Sequence, residues 1–238
     1  MGLFDDQIKH VQDFLAEKQS LSQVREFQVS PYSGWPSEAS LILEEDTALE
    51  LGNPGIGSMS FIIWSEGHGA DHDRILLVGP DLNEIRVQSV PFCQMILVKG
   101  SFRDEYECWR ELREAVYDTK LEGFMTRVLP SRQMIWCRVD REALAKGFLL
   151  PHLGAALIRS LRDVSFVSGA EVIFVTSGKE DMEKLKKPGY DTARIVGAMM
   201  KMNEEKIYDC ESCEYWDVCK SVAELRMMRR RLTGELAK

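Results

Sequence analysis

Cys210, Cys213 and Cys219 offer the plainest chemistry in this sequence. They stand in the run Cys210-Glu-Ser-Cys213-Glu-Tyr-Trp-Asp-Val-Cys219, preceded by Tyr208 and Asp209, and make up half of the six cysteines. A two-residue spacer brings two thiolates to one side of a loop, where both reach one metal centre. A third thiol, with five residues between, closes over that centre as the next helix begins. Such spacing suits iron–sulfur sites and, less often, zinc sites. The bland alternative is a cluster of inert thiols.

Other donor groups are weaker candidates. His68 and His72, in Ser65-Glu-Gly-His68-Gly-Ala-Asp71-His72-Asp73, could join Asp71 or Asp73 around a metal, but a polar loop between strands accounts for them. His152 follows Pro151 at a helix start, where capping and packing explain it. Cys93, Cys108 and Cys137 fall before a strand, in a helix and in a strand, and read as core thiols. Any one of them is also a candidate remote fourth ligand. No Gly-x-Gly-x-x-Gly follows a strand, no upstream glycine makes a P-loop of Gly178-Lys179, and no Gly-x-Ser-x-Gly occurs.

The elements that must hold these groups belong to an ordinary globular chain. It has 238 residues, 45% apolar and 29% charged, with 8 prolines and a net charge of −8. That length supports a real core, and the acidic balance argues against broad nucleic-acid binding. Met1–Asp6 has no basic n-region or apolar h-region, and no apolar run approaches the roughly 20 residues of a membrane span. The expectation is a cytoplasmic protein without a membrane segment. In that compartment cysteines stay reduced and serve as ligands or packing groups.

Apolar spacing predicts an amphipathic helix over 4–19, a turn at 30–36, a short strand at Leu41-Ile42-Leu43 and strong punctuation at Asn53–Gly57. Strands follow at 60–64, 75–78, 95–98, 134–139 and 172–175, with helices over 103–121, 151–162 and 190–204. Gly178–Tyr190 reads as a charged helix and loop. Val222, Leu225, Met228 and Leu232 form one stripe of a last helix, whose Arg229–Arg231 run suits the negative end of its dipole. The fold class is α+β: a mixed β-sheet flanked by helices, with a Cys-rich helical segment at the C-terminus. The expected divisions are an N-terminal elaboration over 1–57, an α/β core over 58–205 and a metal-binding segment with its helix over 206–238.

From about residue 73 to 219 the chain resembles the β subunit of the acetyl-CoA decarbonylase/synthase complex, in the CO dehydrogenase/acetyl-CoA synthase family. The resemblance runs in order through Gly79-Pro-Asp-Leu-Asn-Glu84, Pro91-Phe92, Leu121-Glu-Gly-Phe-Met125, Gln133-Met-Ile-Trp-Cys-Arg-Val139, Lys146-Gly-Phe148, His152-Leu-Gly154 and Tyr208-Asp-Cys210-Glu-Ser-Cys213. In that family a [4Fe–4S] cluster is bridged to a two-nickel centre that joins a methyl group, CO and CoA. Cys210, Cys213 and Cys219 match its first three cluster cysteines, with a shortened gap before the third. Trp216 stands about where the family has a Phe near the metals. No fourth cluster cysteine and no Cys-Gly-Cys for the outer nickel occurs here, so the resemblance carries a cluster over but not the nickel site.

That resemblance implies an iron–sulfur protein, of the 4Fe–4S kind, shortened after the first cluster cysteines. Tyr215 and Trp216 would shield the cluster and tune it. It would act as an accessory or electron-transfer protein in anaerobic one-carbon metabolism, beside a CO dehydrogenase, a corrinoid protein or a redox partner. A homo-oligomer is compatible with this. If it is an enzyme, acetyl-CoA synthase-like acyl transfer on a remodelled or partner-completed site is the alternative. A zinc-stapled structural protein is the third reading.

Overall fold

Short β-branched and aromatic runs form strands here because both of their faces find a cover, and the computed structural model shows what covers them. It describes residues 2–29, 34–37, 41–67, 72–129, 133–204 and 213–232. The first half of the chain forms α1 (Asp5–Ser20), β1 (Val24–Gln28), β2 (Thr47–Leu51), β3 (Ser58–Ser65), β4 (Arg74–Val78), β5 (Ser89–Val90), β6 (Phe92–Gly100) and α2 (Glu105–Tyr117). The second half adds β7 (Phe124–Leu129), β8 (Met134–Asp140), α3 (Arg141–Ala145), α4 (Leu150–Arg162), β9 (Val167–Val175), α5 (Lys179–Glu204), α6 (Trp216–Ser221) and α7 (Ala223–Leu232).

Two mixed sheets result, as the α+β expectation has it. The larger runs β1-β4-β9-β6-β3, and the smaller β5-β2-β8-β7. In the larger sheet β4–β9 and β3–β6 are parallel, whereas β1–β4 and β6–β9 are antiparallel. β6 and β9 are central strands, buried almost throughout, so their sequences read as continuous apolar runs rather than alternating ones. β8 alternates instead, with Ile135, Cys137 and Val139 buried and the residues between them half-buried.

Local chemistry sets the helix starts. Asp104 accepts from the backbone N–H groups of Tyr106 and Glu107 to open α2, and Asp140 does the same for α3. The Leu149 N–H donates to His152 Nδ1 at 3.0 Å, the capping role expected of that histidine. The Leu150 N–H donates to Asp81, which is 4% exposed and comes from the turn after β4. At Gly154 a Cβ would come within 2.9 Å of three Ile75 carbons, so a side chain there would lift α4 off β4.

Several expectations change. Leu41–Leu43 forms no strand; only Ile42 of the three is buried. Residues 1–57, expected as an elaboration, give β1 to the larger sheet and β2 to the smaller. Gly178–Tyr190 is not a helix and loop, because α5 runs unbroken through Pro188. Proline in a helix interior costs about 3 kcal/mol. Here Thr192 Oγ1 donates to the Pro188 carbonyl, and Gly189 lies under the Met59 thioether. Packing against β3 offsets the local penalty.

Glu171, 3% exposed in β9, pairs with Arg74. Burial pushes its carboxyl above the ordinary 4.5, with Arg74 pulling the other way. A carboxyl raised on folding stabilises the protein below its unfolded pKa, and that contribution is lost as pH rises through the folded value. Glu171→Gln is therefore expected to gain stability relative to the parent as pH rises above the ordinary 4.5. Urea unfolding across that range measures it, and the opposite trend would mean that Arg74 outweighs burial.

Candidate metal centre

The cysteine segment is held from below by α5. Arg194 sends Nη1 to Asp217 Oδ2 at 2.6 Å and Nη2 to the Glu214 carbonyl at 2.8 Å, with a further bond from Nη2 to Asp217 Oδ1. This planar fork grips the turn and the first residues of α6 together. One turn further on, the Tyr215 phenol rests on Gly197, where a Cβ would be 2.7 Å from its oxygen. Burial raises the Tyr215 phenol, and the Glu214 carboxylate pushes it the same way. α7 also packs on α5, and its Leu225 is fully buried.

Within the segment, the Trp216 N–H donates to the Cys213 carbonyl at 3.1 Å, and the Cys219 N–H to the Tyr215 carbonyl at 2.9 Å. The first bond turns the chain after Cys213; the second belongs to the start of α6. Cys213 is half-buried, and Cys219 is 7% exposed on the inward face of α6. Of the aromatic pair, Tyr215 is half-buried against α5 and Trp216 is 40% exposed. Cys210, with Tyr208 and Asp209, lies outside the described residues.

Two of the three expected ligands are thus on one turn-and-helix unit. Thiolates are soft ligands that suit iron–sulfur clusters and zinc alike, and the donor set fits either. Among the described residues no group of three or more His, Cys, Asp or Glu is gathered for a metal. His68 and Asp71 lie outside the described residues. His72 is within 3.9 Å of Glu26, and Asp73 accepts from the Ala170 N–H. Cys93 and Cys137 are fully buried in β6 and β8, and Cys108 is buried in α2. Five of the six cysteines are described, and none of these forms a disulfide.

Beside the segment lies an open groove of about 1020 Å³ between α5, the start of β3 and Tyr215. Its cations are already engaged, Lys186 with Glu183, Lys187 with Asp191 and Arg194 with Asp217. Arg194 and Gly197 escaped the sequence reading. Each looks like an ordinary helix residue until the segment packs against it.

Gly197→Ala tests that packing. The new methyl displaces the Tyr215 ring, although alanine favours helix by about 1 kcal/mol over glycine. Hydrogen exchange over 213–221 is expected to speed up while that of α4 stays unchanged. Equal protection in both proteins would show that Tyr215 does not anchor the segment.

The family described as the CO dehydrogenase/acetyl-CoA synthase complex beta subunit matches residues 34–181, more than half of the chain. The chain belongs to that family. Among curated relatives, the acetyl-CoA decarbonylase/synthase complex subunit beta of Archaeoglobus fulgidus is 25% identical over 207 residues, 83% of this chain and 38% of the relative. The Methanopyrus kandleri subunit is 30% identical over 62% of this chain and 32% of its own length. That of Methanothermobacter thermautotrophicus is 33% identical over 50% of this chain and 26% of its own. The chain therefore spans about a third of the length of these relatives. The matched region runs from before β2 to the start of α5 and leaves β1 outside it. The matched region begins upstream of the resemblance read from residue 73, and ends before the cysteines.

Proposed function

We propose that this member of the beta subunit family binds an iron–sulfur cluster, of the 4Fe–4S kind, through Cys210, Cys213 and Cys219. The observation that carries it is the placing of Cys213 and Cys219 on one turn-and-helix unit clamped to α5 by Arg194 and Tyr215. Three thiolates leave one iron for another ligand or for a partner's surface. The exposure of Trp216 and the half-buried state of Cys213 support a position near solvent, as electron transfer to a docked protein requires.

The curated relatives are by name subunits of a complex, which supports a protein partner for this chain too. That partner would be a CO dehydrogenase, a corrinoid protein or a redox protein of anaerobic one-carbon metabolism, with this chain in an accessory or electron-transfer role in the cytoplasm. No helix among the described residues is long and apolar enough to cross a membrane.

Purification without oxygen, followed by iron, sulfide, zinc and nickel analysis, tests this reading. Brown protein absorbing near about 400 nm, with iron and sulfide in similar amounts, is the expected result. Colourless protein with stoichiometric zinc would overturn it in favour of a structural staple. Nickel together with methyl-corrinoid-dependent CO exchange would move it to a synthase.

A further inference from the structure

The last helix has one side in the fold and one side in water. α7 packs on α5 and α6, with Leu225 fully buried and Met228 half-buried. Arg226, Met227, Arg230 and Arg231 are all exposed. Their spacing gathers them on one side of the helix, as two adjacent i,i+4 rows. Arg226 Nη2 donates to the Lys220 carbonyl at 3.0 Å, which fixes that guanidinium at the joint between α6 and α7. Over residues 216–232 one lysine and four arginines stand against Asp217 and Glu224, whereas the whole chain has 30 Lys and Arg against 38 Asp and Glu. The basic stripe is thus a local reversal of an acidic protein, one helix away from Cys219.

Folding alone does not favour this arrangement. The helix dipole welcomes cations in the last turn, but Arg226 stands near the other end of α7, where it does not. Arg226 and Arg230 are four apart, a like-charge pair that destabilises a helix. Met227 is 50% exposed among these arginines, and Trp216 is 40% exposed on the adjoining α6. A single exposed methionine is ordinary. Arginine, methionine and tryptophan together have the composition that protein interfaces concentrate.

The stripe also selects its occupant. The apolar side of α7 is already buried in the fold, so the helix cannot lie in a bilayer as an amphipathic anchor does. A phosphate backbone would engage the arginines and leave Met227 without an apolar partner. A protein with carboxylates around a shallow apolar pocket satisfies both. We propose that α7 docks a small acidic electron-carrier protein, with its carboxylates on Arg226, Arg230 and Arg231 and an apolar pocket on Met227. The docking rests on the reading that Cys210, Cys213 and Cys219 hold a cluster, which gives the carrier something to exchange electrons with.

Flavodoxin, an acidic carrier of single electrons, is the probe. It is titrated against the full chain, purified without oxygen, at about 0.01 M and about 0.15 M ionic strength, where screening lengths are about 30 Å and about 8 Å. Binding at the lower ionic strength is expected, and weakening at the higher. Reversal of the stripe by Arg226→Glu, Arg230→Glu and Arg231→Glu together is expected to weaken it at least roughly tenfold. Met227→Ser should weaken it while leaving the salt response in place. No binding of flavodoxin at the lower ionic strength, or binding that the reversal leaves unchanged, would overturn the proposal. So would reversal-sensitive binding of a DNA duplex or of phosphatidylserine vesicles in place of flavodoxin, which would make the stripe a phosphate site. Iron analysis of the same samples separates this surface from the cluster. Docking by iron-free protein keeps the surface and sinks the cluster, whereas iron without docking sinks the surface. The salt response of the unaltered chain decides the matter even where a variant does not fold.

Discussion

Cys213→Ser, purified without oxygen, is expected to lose bound iron by roughly tenfold or more, the scale of losses at or near metal ligands. Its 400 nm absorption should fall in proportion. A thiol must deprotonate before it binds metal, so its surroundings decide whether it can serve. Cys213 is half-buried at the start of a turn whose backbone is already tied to α6, and serine there leaves those backbone bonds in place. Cys137 lies at the other extreme. Burial pushes its thiol up to about 12, against only a hydrogen-bond contact with Thr126. Cys93 is raised further, by burial alone.

Cys137→Ala and Cys93→Ala are accordingly expected to keep full iron while losing about 1 kcal/mol of stability each. Full iron in Cys213→Ser would sink the three-cysteine site. Loss of iron from Cys137→Ala would identify a remote fourth ligand, which the burial of that thiol argues against.

The largest effect on stability is expected from Lys18→Met. Lys18 and Asp181 meet at 2.5 Å, with side chains 9% and 8% exposed, and tie α1 to the first turn of α5. Lys18 also reaches Gln23 and lies over the Phe14 ring, while Ser177 donates to Asp181. Each ion was stripped of water on folding, and the pair recovers that cost only while both members are present. Methionine fills the volume but leaves Asp181 charged and buried, for a loss of about 3–5 kcal/mol in urea unfolding. A Lys18→Met, Asp181→Leu double variant is expected to recover most of it. Equal losses in single and double variants would show that the pair acts through packing rather than charge.

The motifs that carried the family resemblance turn out to be joints of the fold. Gly79 turns at φ +106 after β4, with Ser177 backbone so close that a Cβ would clash at 2.5 Å. Asp81 then caps α4, and Glu84 accepts from the Asp81 N–H and pairs with Arg25. Gly123 leaves no room for a Cβ beside Ala143, Phe148 is fully buried and Gly154 seats α4 on Ile75. Such positions are legible because glycine, proline and buried aspartate are demanded by local geometry. They mark the family securely, yet they say little about a reaction.

The amino-acid sequence by itself determined the element types with strong periods: α1, α2, α4, the central strands β6 and β9, and the C-x2-C-x5-C set. Hydrophobic period and thiol spacing are local properties, written in neighbouring residues. Only the tertiary structure decided that α5 runs through Pro188 and that β1 and β2 belong to two different sheets. It alone brought Arg194 and Gly197 beneath the cysteine segment. Each of those outcomes depends on groups distant in sequence, whose pairing energy exceeds local propensity but leaves no periodic trace in the chain.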